Sequence, residues 1–258
     1  MPIIGTHAHG AFCWVELATS DSDGAKTFYT ALFDWQYQDD DGGPGTYTTL
    51  LRRDQQVGAL YQESGPTPPH WSLYINVANA DEQAARARKL GASVLQEPFD
   101  VMDAGRMAIV QDPVGAVFCL WQARKNKGMG ISGEPGAFCW GELTTADDAA
   151  ALHFYRELLG WTSRDSSADA ADGHAYTELE LDGNPIGGVA RLQGKQAGTP
   201  AHWTAYFQVS DCRESTARAR NLGASILLDC QQIPAVGRFS MMADPQGAVF
   251  SIYQPSDS

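Results

Sequence analysis

Hydrophobic and polar positions divide the start of the chain into short elements. Phe12–Thr19 is apolar and carries aromatic and β-branched residues, which predicts a strand. A polar cap at Asp21 and an apolar pattern at helical spacing then predict a helix. Its buried face is expected to carry Ala25, Phe28, Tyr29 and Leu32. Thr46–Arg53 and Gln56–Gln62 flank a polar turn and predict a β-hairpin.

The same kinds of element follow at once. Trp71–Val77 predicts a strand, and Asn79 with Glu82 three residues later forms a capping box for a second helix. This helix is expected to end at Leu90, because Gly91 suits the position after a helix end. Three more strands are predicted at Ser93–Gln96, Arg106–Gln111 and Ala116–Gln122. The pattern is therefore a module of strand, helix and three strands, present twice.

The second half of the chain repeats the first. Ala-Phe-Cys-Trp-Val-Glu-Leu at residues 11–17 returns as Ala-Phe-Cys-Trp-Gly-Glu-Leu at residues 137–143, an offset of 126. Later phrases, such as His-Trp and Asp-Pro-x-Gly, return at an offset of 132, and we expect the six extra residues within Ser163–Gly173. A repeat of this size predicts four modules in two tandem domains, residues 8–124 and 136–256.

Residues 125–135 join the two copies. The segment is basic and then glycine-rich, and residues 128–133 spell Gly-x-Gly-x-x-Gly. A dinucleotide site needs that phrase to open a helix, whereas a strand is predicted to follow here. The segment therefore predicts a flexible linker.

Composition narrows the partners. The chain has 258 residues, 43% of them hydrophobic, and a formal net charge of −13, which disfavours nucleic acid and anionic membranes. No apolar run approaches the length of a membrane-spanning helix, and the start of the chain lacks the features of a signal peptide. The five cysteines include no Cys-x-x-Cys pair, and Cys13 and Cys139 lie inside apolar strands. We therefore expect a cytoplasmic protein without structural disulfides.

The modules and their phrases resemble the vicinal oxygen chelate superfamily. That group includes glyoxalase I, bleomycin and fosfomycin resistance proteins and extradiol dioxygenases. The phrases are Asp21 seven residues before Phe28-Tyr29, then Leu90-Gly91-Ala92, then Asp112-Pro113-Val114-Gly115, each with its second copy. The resemblance implies an α+β fold with two tandem glyoxalase-like domains. Each domain would pair two βαβββ modules into a cupped, mostly antiparallel sheet.

The resemblance also implies where a metal would bind. In metal-dependent members, His, Gln or Glu from four strands hold one divalent ion that chelates two substrate oxygens. Registered on the shared phrases, three of these positions fall on Trp14, Ser72 and Cys119 in copy one, and on Trp140, Thr204 and Ser251 in copy two. The fourth position is not registered by the sequence. The standard ligands are missing at the registered positions, so no cofactor is expected.

Period-two alternation predicts what else lines each cup. The candidate ligand-binding residues are Trp14, Tyr74, Trp121, Trp140, Thr204, Tyr206 and Tyr253 from these strands, together with Arg106 and Arg238. Phe12 and Phe138 are expected on the same concave faces. The tryptophans Trp14 and Trp140 either stack on a ligand or fill a cup that has lost its metal. Aromatic walls of this kind suit a flat organic molecule better than a hard cation.

Two carboxylates and two histidines remain open to two interpretations each. Glu16 and Glu142 lie in apolar phrases and need partners. In one interpretation the glutamates form ion pairs with the duplicated arginines Arg106 and Arg238. In the other they act as catalytic bases that accept a proton from the substrate. His70 and His202 either pack against backbone or bind a divalent ion such as Zn, Ni, Mn or Fe together with the glutamates.

The sequence favours a protein that binds a small aromatic or amphipathic molecule without the usual metal site, as a monomer or homodimer. The alternative is an enzyme with a non-standard metal site, either a lyase similar to lactoylglutathione lyase or a dioxygenase. A third reading is a protein-interaction role with vestigial cups. Motifs of phosphate-binding loops, serine hydrolases and zinc proteases are missing from the chain.

Overall fold

The computed structural model describes residues 3–43, 45–165, 176–192 and 198–256. In the first half the elements are β1 (Phe12–Thr19), α1 (Ser22–Phe33), β2 (Gln36–Gly43), β3 (Gly45–Arg52), β4 (Gln55–Gln62), β5 (His70–Asn76), α2 (Ala80–Lys89), β6 (Ser93–Val101), β7 (Gly105–Gln111) and β8 (Val117–Ala123). In the second half they are β9 (Phe138–Thr145), α3 (Asp148–Leu159), β10 (Thr162–Asp165), β11 (Tyr176–Leu181), β12 (Asn184–Arg191), β13 (His202–Gln208), α4 (Cys212–Asn221), β14 (Ser225–Ile233), β15 (Gly237–Ala243) and β16 (Val249–Pro255).

Each half forms one sheet of eight strands. The order is β2-β3-β4-β1-β5-β8-β7-β6 in the first half, and the second half follows the same order from β10 to β14. The central strands β1 and β5 are antiparallel, with Glu16 opposite Ser72. Only β1 with β4 and β5 with β8 run parallel, as do their counterparts β9 with β12 and β13 with β16. The predicted α+β fold of paired βαβββ modules in two tandem domains is confirmed.

The helices begin where their polar caps predict. The Asp21 carboxylate accepts a hydrogen bond from Gly24 N, and the Asn79 side chain accepts from Asp81 N and Glu82 N. In the second half Asp147 and Asp211 cap α3 and α4 in the same way. These caps satisfy backbone donors that a helix start leaves without partners. Local sequence therefore determines the helix starts.

Strand β2 is an element that the hydrophobic pattern did not predict. Its sequence, Gln-Tyr-Gln-Asp-Asp-Asp-Gly-Gly, has no apolar alternation. It is the outermost strand of its sheet, and Tyr37 is half-exposed. An edge strand with solvent on its faces needs no buried side chains, so the period-two signal is absent.

The six extra residues of the second copy do not form one insertion. Glu16 pairs with Ala59, and the equivalent Glu142 pairs with Gly188, so the offset at this strand is 129. Three residues are therefore added before β12 and three after it, which corrects the single insertion predicted within Ser163–Gly173. Most of that stretch, residues 166–173, lies outside the described ranges.

The segment between the halves is packed rather than loose. Met129 and Ile131 are buried, and Met129 N donates to Cys13 O at 2.8 Å. Gly130 N donates to Gln56 O, so the segment bridges β1 and β4. Gly128 has a positive φ of 101°, and any side chain there would overlap Cys13 O. The glycines serve this close approach, and the prediction of a flexible linker is wrong at these residues.

The two halves contact each other through a reciprocal pair of hydrogen-bonded chains. Tyr29 Oη on α1 donates to Asp244 Oδ2 in the second half at 2.9 Å, and Trp71 Nε1 donates to Tyr29 Oη at 2.9 Å. Tyr155 Oη on α3 donates to Asp112 Oδ2 in the first half at 2.8 Å, and Trp203 Nε1 donates to Tyr155 Oη. We call these the interdomain clasps. All six side chains are buried among aromatic rings, so the helices lie in a shared core.

Among the described residues, none of the helices is long and apolar enough to cross a membrane.

Candidate functional site

A partly buried carboxyl group held by two tyrosines lies on the concave face of the first sheet. Glu16 Oε1 accepts a hydrogen bond from Tyr47 Oη at 2.7 Å, and Glu16 Oε2 accepts from Tyr74 Oη at 2.5 Å. The tyrosines come from β3 and β5, on either side of β1 and β4. Each oxygen of the Glu16 carboxyl group thus accepts a hydrogen bond from a phenol. The carboxyl group therefore has hydrogen-bond partners without a cation.

The second sheet repeats this arrangement. Glu142 Oε1 accepts from Tyr206 Oη at 2.9 Å, and the Tyr176 phenol lies close enough to the Glu142 carboxyl group to lower its pKa. Trp140 Nε1 in turn donates to Tyr176 Oη at 2.8 Å. An indole, a phenol and a carboxyl group therefore form a chain across the cup. We call each glutamate with its two tyrosines a tyrosine–glutamate cluster.

Burial dominates the electrostatics of both clusters. It raises the pKa of Glu16, and the hydrogen bonds from Tyr47 and Tyr74 and the nearby His70 oppose this only in part. Burial likewise raises the pKa of Glu142. The phenols have pKa values well above the usual range, because they are buried and lie beside a carboxylate. At neutral pH the tyrosines therefore remain protonated and act as donors.

Aromatic side chains form the floor of each cup, as alternation predicted. Trp14 lies across β1 and β5 from Tyr74, and the Tyr74 and Trp121 rings meet edge to face at 6.3 Å. In the second cup Trp140 lies across from Tyr206, and Tyr206 and Phe239 are tilted rings at 6.3 Å. Tyr253 occupies the place of Trp121, and its hydroxyl donates to Val236 O at 2.8 Å. Most of the predicted lining residues are thus brought together around the glutamates.

The floor of the first cup is closely packed, since Trp14, Tyr74 and Trp121 are all buried. The second cup is more open, because Trp140, Glu142 and Tyr253 are only partly buried. Two hollows of about 280 and 370 Å³ lie elsewhere, one between α3 and β10 and the other beside Gln208 and Pro255. Neither hollow is lined by Glu16 or Glu142. The cups, which contain both glutamates, are therefore the candidate functional sites. A molecule that reaches the floor of the first cup must therefore displace lining side chains.

The predicted roles of the two arginines are wrong. Arg106 donates to both carboxylate oxygens of Asp81 on α2, at 2.7 and 2.8 Å, and to Asp100 at 3.0 Å. Its cross-strand neighbour Gln122 caps α2, so Arg106 lies on the helix side of the sheet. Arg238 contacts Gln232 and is the equivalent residue of the second sheet. The alternation that places Trp121 in the cup places both arginines outside it, which rules out the ion pairs with the glutamates.

Phe12 and Phe138 also leave the concave faces. The pairing of β1 with β5 shifts between Phe12 and Trp14, and the equivalent shift occurs in the second sheet. A bulge of this kind reverses the side-chain direction. The Phe12 ring lies 5.7 Å from Phe138 and 5.5 Å from Trp203, in the core between the halves.

The histidines lie at the rims of the cups. His70 pairs with Ala18, two residues beyond the Glu16–Ser72 pair, and its Nδ1 lies 2.9 Å from Pro68 O. His202 makes the equivalent contact with Pro200 O at 2.9 Å. A carbonyl can only accept, so Nδ1 carries the proton in both rings. The backbone contact is therefore formed, and Nε2 is the nitrogen left for other partners.

The strand register identifies the fourth metal position, which the sequence left unregistered. Glu16 and Ala59 on β1 and β4 correspond to Tyr74 and Cys119 on β5 and β8, because the two modules are related by an approximate twofold axis. The complete sets are Trp14, Ala59, Ser72 and Cys119 in one cup, and Trp140, Gly188, Thr204 and Ser251 in the other. Burial raises the pKa of the Cys119 thiol, which disfavours the thiolate form. These side chains do not fit a divalent ion.

Nor does another metal-binding group occur elsewhere in the parts of the chain that the structure describes. No three or more His, Cys, Asp or Glu side chains there come together.

Tyr47 and Tyr176 were missed by the sequence analysis. Both occur in the phrase Tyr-Thr-x-Leu, at residues 47–50 and 176–179. The offset of this phrase is 129, which matches neither of the offsets found for the other repeats. Allowing a stepwise offset would have identified the pair.

The position of Gly188 allows a test of the second cluster. A methyl group there would overlap the Tyr176 hydroxyl, whereas the equivalent Ala59 already carries one. Gly188→Ala is therefore expected to push Tyr176 away from Glu142 and to lower the free energy of unfolding by about 1.5–3 kcal/mol. Chemical denaturation measures this, and the fluorescence of Trp140 is expected to change as well.

Ala59→Gly is the matched control, because it removes a methyl group at the same place in the first cup. Its expected cost is only about 0.5–1 kcal/mol, the ordinary effect of glycine in a strand. Equal stabilities of Gly188→Ala and the unmodified protein would show that Tyr176 does not support Glu142.

The chain matches a known protein family and is similar to several named proteins. The family described as "Glyoxalase-like domain" matches residues 14–121 and 142–253. The protein named "Putative glyoxylase CFP32" from Mycobacterium tuberculosis is 36% identical, over 99% of both chains. The protein named "Anthracycline biosynthesis protein DnrV" from Streptomyces peucetius is 31% identical, over 96% of this chain and 94% of its own.

Solved structures share the fold at low sequence identity. A Mn(II)-bound glyoxalase from Novosphingobium aromaticivorans superposes with a TM-score of 0.67 at 14% identity, covering 95% of this chain and 82% of its own. The 2,3-dioxygenase LapB from Pseudomonas sp. KL28 gives a TM-score of 0.65 at 14% identity, covering 97% and 94%.

Proposed function

The chain belongs to the glyoxalase-like domain family, and on this premise we propose that its cups bind a flat aromatic or amphipathic molecule without a divalent metal. The observation that carries the proposal is the tyrosine–glutamate cluster in each cup. The cluster lies on an aromatic floor, at the level where metal-dependent members of the superfamily would hold their divalent ion. A carboxyl group in that setting favours a ligand that donates a hydrogen bond, such as a hydroxyl or amide N–H.

Charge limits the kind of ligand. Within the described residues, tyrosine hydroxyls rather than basic side chains hold Glu16 and Glu142. An anionic ligand would meet a buried carboxyl group without a compensating cation, and the chain itself carries a net charge of −13. The cups are therefore suited to neutral or cationic molecules.

The relatives support a polycyclic ligand class. DnrV and the protein named "Anthracycline biosynthesis protein DauV" are both named for anthracycline biosynthesis, and anthracyclines are flat, polycyclic and aromatic. Such molecules match the aromatic floor around Trp14 and Trp140. Each half contains a complete cup, so a monomer is sufficient for binding, and a homodimer is compatible with it. The described cysteines are all free, which supports a reducing, cytoplasmic location.

A second candidate is an enzyme of the lactoylglutathione-lyase or dioxygenase type with a relocated metal. The observation in its favour is that His70 lies close enough to Glu16 to influence the pKa of that carboxyl group. Zn, Ni, Mn or Fe would then act as a Lewis acid near the rim of the cup. The occupied carboxyl oxygens of Glu16 count against it.

The two candidates are separated by titrating chelator-treated protein with an unsubstituted or hydroxylated anthraquinone and following tryptophan fluorescence. We expect quenching with a dissociation constant on the order of micromolar, equal with and without added metal. Trp14→Phe and Trp140→Phe are expected to reduce the quenching while leaving the fold intact.

Parallel metal analysis with Zn, Ni, Mn and Fe(II) tests the second candidate. One ion retained per cup would overturn metal-free binding, and capture of a protein partner with neither metal nor ligand would favour the interaction role.

A further inference from the structure

The floors of the two cups differ in one chemical respect. Thr204 and Ser251 in the second cup are 2% and 0% exposed, and their hydroxyl oxygens have no hydrogen-bond partner among the described residues. The equivalent residues of the first cup are Ser72, which is only half-buried, and Cys119, a thiol. A thiol loses little when it is buried, whereas a hydroxyl without a partner destabilises the fold.

The two hydroxyls lie beside the second tyrosine–glutamate cluster. Thr204 is the direct cross-strand neighbour of Glu142, and Tyr206 is the next residue of β13 on the same face. Ser251 on β16 is the neighbour of Tyr206, and its hydroxyl approaches the Tyr206 phenol without making a well-aligned hydrogen bond. Direct neighbours of this kind have Cβ atoms about 5 Å apart. The hydroxyls and the carboxyl group therefore share one small area of the floor.

We propose that the second cup is the selective site, and that its ligand is a neutral flat molecule with a carbonyl oxygen and a hydroxyl group on one edge. The carbonyl oxygen accepts hydrogen bonds from Thr204 and Ser251, and the ligand hydroxyl donates to Glu142. This inference rests on the proposed function and narrows its ligand class.

The requirement for a neutral carbonyl follows from the surroundings. Two hydroxyl donors call for an acceptor, and a carboxylate acceptor would be repelled by Glu142 across one strand. A carbonyl oxygen has two lone pairs, so it can satisfy both hydroxyls at once. Because both oxygens are closed to solvent, the ligand reaches them by displacing Tyr206, the neighbour that Thr204 and Ser251 share.

The first cup cannot bind the same group in the same way. Its Cys119 thiol is a weak donor, and Ser72 lacks a hydroxyl partner at the place of Ser251. We therefore expect one tight and one weak site per chain.

The test compares three probes that do not react with cysteine thiols. These are an anthraquinone with one hydroxyl on the same edge as a carbonyl but too far from it for an internal hydrogen bond, the methyl ether of that compound, and an anthraquinone carboxylate. Binding to the metal-free protein is followed by fluorescence quenching. The hydroxy compound is expected to bind one site per chain at least tenfold more tightly than either of the others.

Two variants of the second cup and two controls of the first complete the test. Thr204→Val and Ser251→Ala are each expected to weaken the tight site about tenfold or more. Ser72→Ala and Cys119→Ser are expected to leave it within about twofold. Thr204→Val replaces an unpartnered buried hydroxyl by a methyl group, so the ligand-free protein is expected to melt a few degrees higher.

The possible results distinguish failure of this inference from failure of the proposed function. Unchanged affinity in both second-cup variants, with intact binding by the unmodified protein, rejects this inference and leaves the proposed function standing. Tight binding of the methyl ether rejects the role of Glu142. A lower melting temperature for Thr204→Val would mean that the hydroxyl has a structural partner, which also rejects the inference. Failure of the unmodified protein to bind any probe would reject the proposed function itself.

Discussion

Replacing Tyr29 and Tyr155 together by phenylalanine is expected to lower the free energy of unfolding by about 3–6 kcal/mol. Each hydroxyl donates to a buried aspartate of the other half and accepts from a buried indole. Phenylalanine keeps the ring packing and removes only the oxygen, so one carboxylate oxygen and one indole N–H lose their partner in each clasp. A domain of ordinary stability has only about 5–15 kcal/mol in total, so this loss is large.

Denaturant unfolding of the single and double variants measures the effect. Each single variant is expected to lose about half of the double variant's total, because the two clasps are separate sites. Tyr37→Phe is the matched control, since that tyrosine is half-exposed and its loss of a hydroxyl should change little. A double variant as stable as the Tyr37→Phe protein would show that the clasps do not hold the halves together.

The second large effect concerns the glutamates of the cups. Glu16→Gln and Glu142→Gln are each expected to weaken ligand binding in their own cup about 10–100-fold, because a charge-assisted hydrogen bond is lost. Fluorescence titration with the hydroxyanthraquinone measures this. Glu97→Gln, which changes an exposed carboxylate, is the control. Full affinity in both cup variants would contradict the role assigned to the clusters.

The same variants are expected to change the dependence of stability on pH. Burial raises the pKa of both glutamates, so their contribution to stability is fully present below the unfolded-state pKa of about 4.3. That contribution is lost as the pH rises through the raised pKa values of the folded protein. Over that range the two glutamates are therefore expected to lower the melting temperature as the pH rises. The double glutamine variant should lack this contribution, and an unaltered profile would contradict this account.

Internal repetition made most of the fold predictable. A strand that is buried along nearly its whole length, such as Phe12–Thr19, is apolar enough to be recognised from its composition, and the second copy repeats the same signal. Strand β2 has no buried face and left no such signal. The reversal of Phe12 could not be predicted either, because a bulge depends on the pairing of two strands and not on one.

The candidate site was predictable only in part. Alternation placed Glu16, Trp14 and Tyr74 on one face, since these lie on adjacent central strands. The ion pair of Glu16 with Arg106 was wrong, because Arg106 lies on the other face of the sheet and pairs with Asp81 and Asp100 from a helix and an edge strand. Alternation could not find Tyr47, because β3 is two strands away from β1 in the sheet, and only the repeated Tyr-Thr-x-Leu phrase marks it.

The reciprocity of the interdomain clasps has an evolutionary consequence. Two identical single-domain chains, related by a twofold axis, could make the same pair of contacts with each other. In such an assembly every substitution in one cup would appear in the other. Joining the copies in one polypeptide removes this constraint, so that Thr204 and Ser251 can diverge from Ser72 and Cys119. Joining the copies thereby allows the two cups to differ in the groups that line their floors.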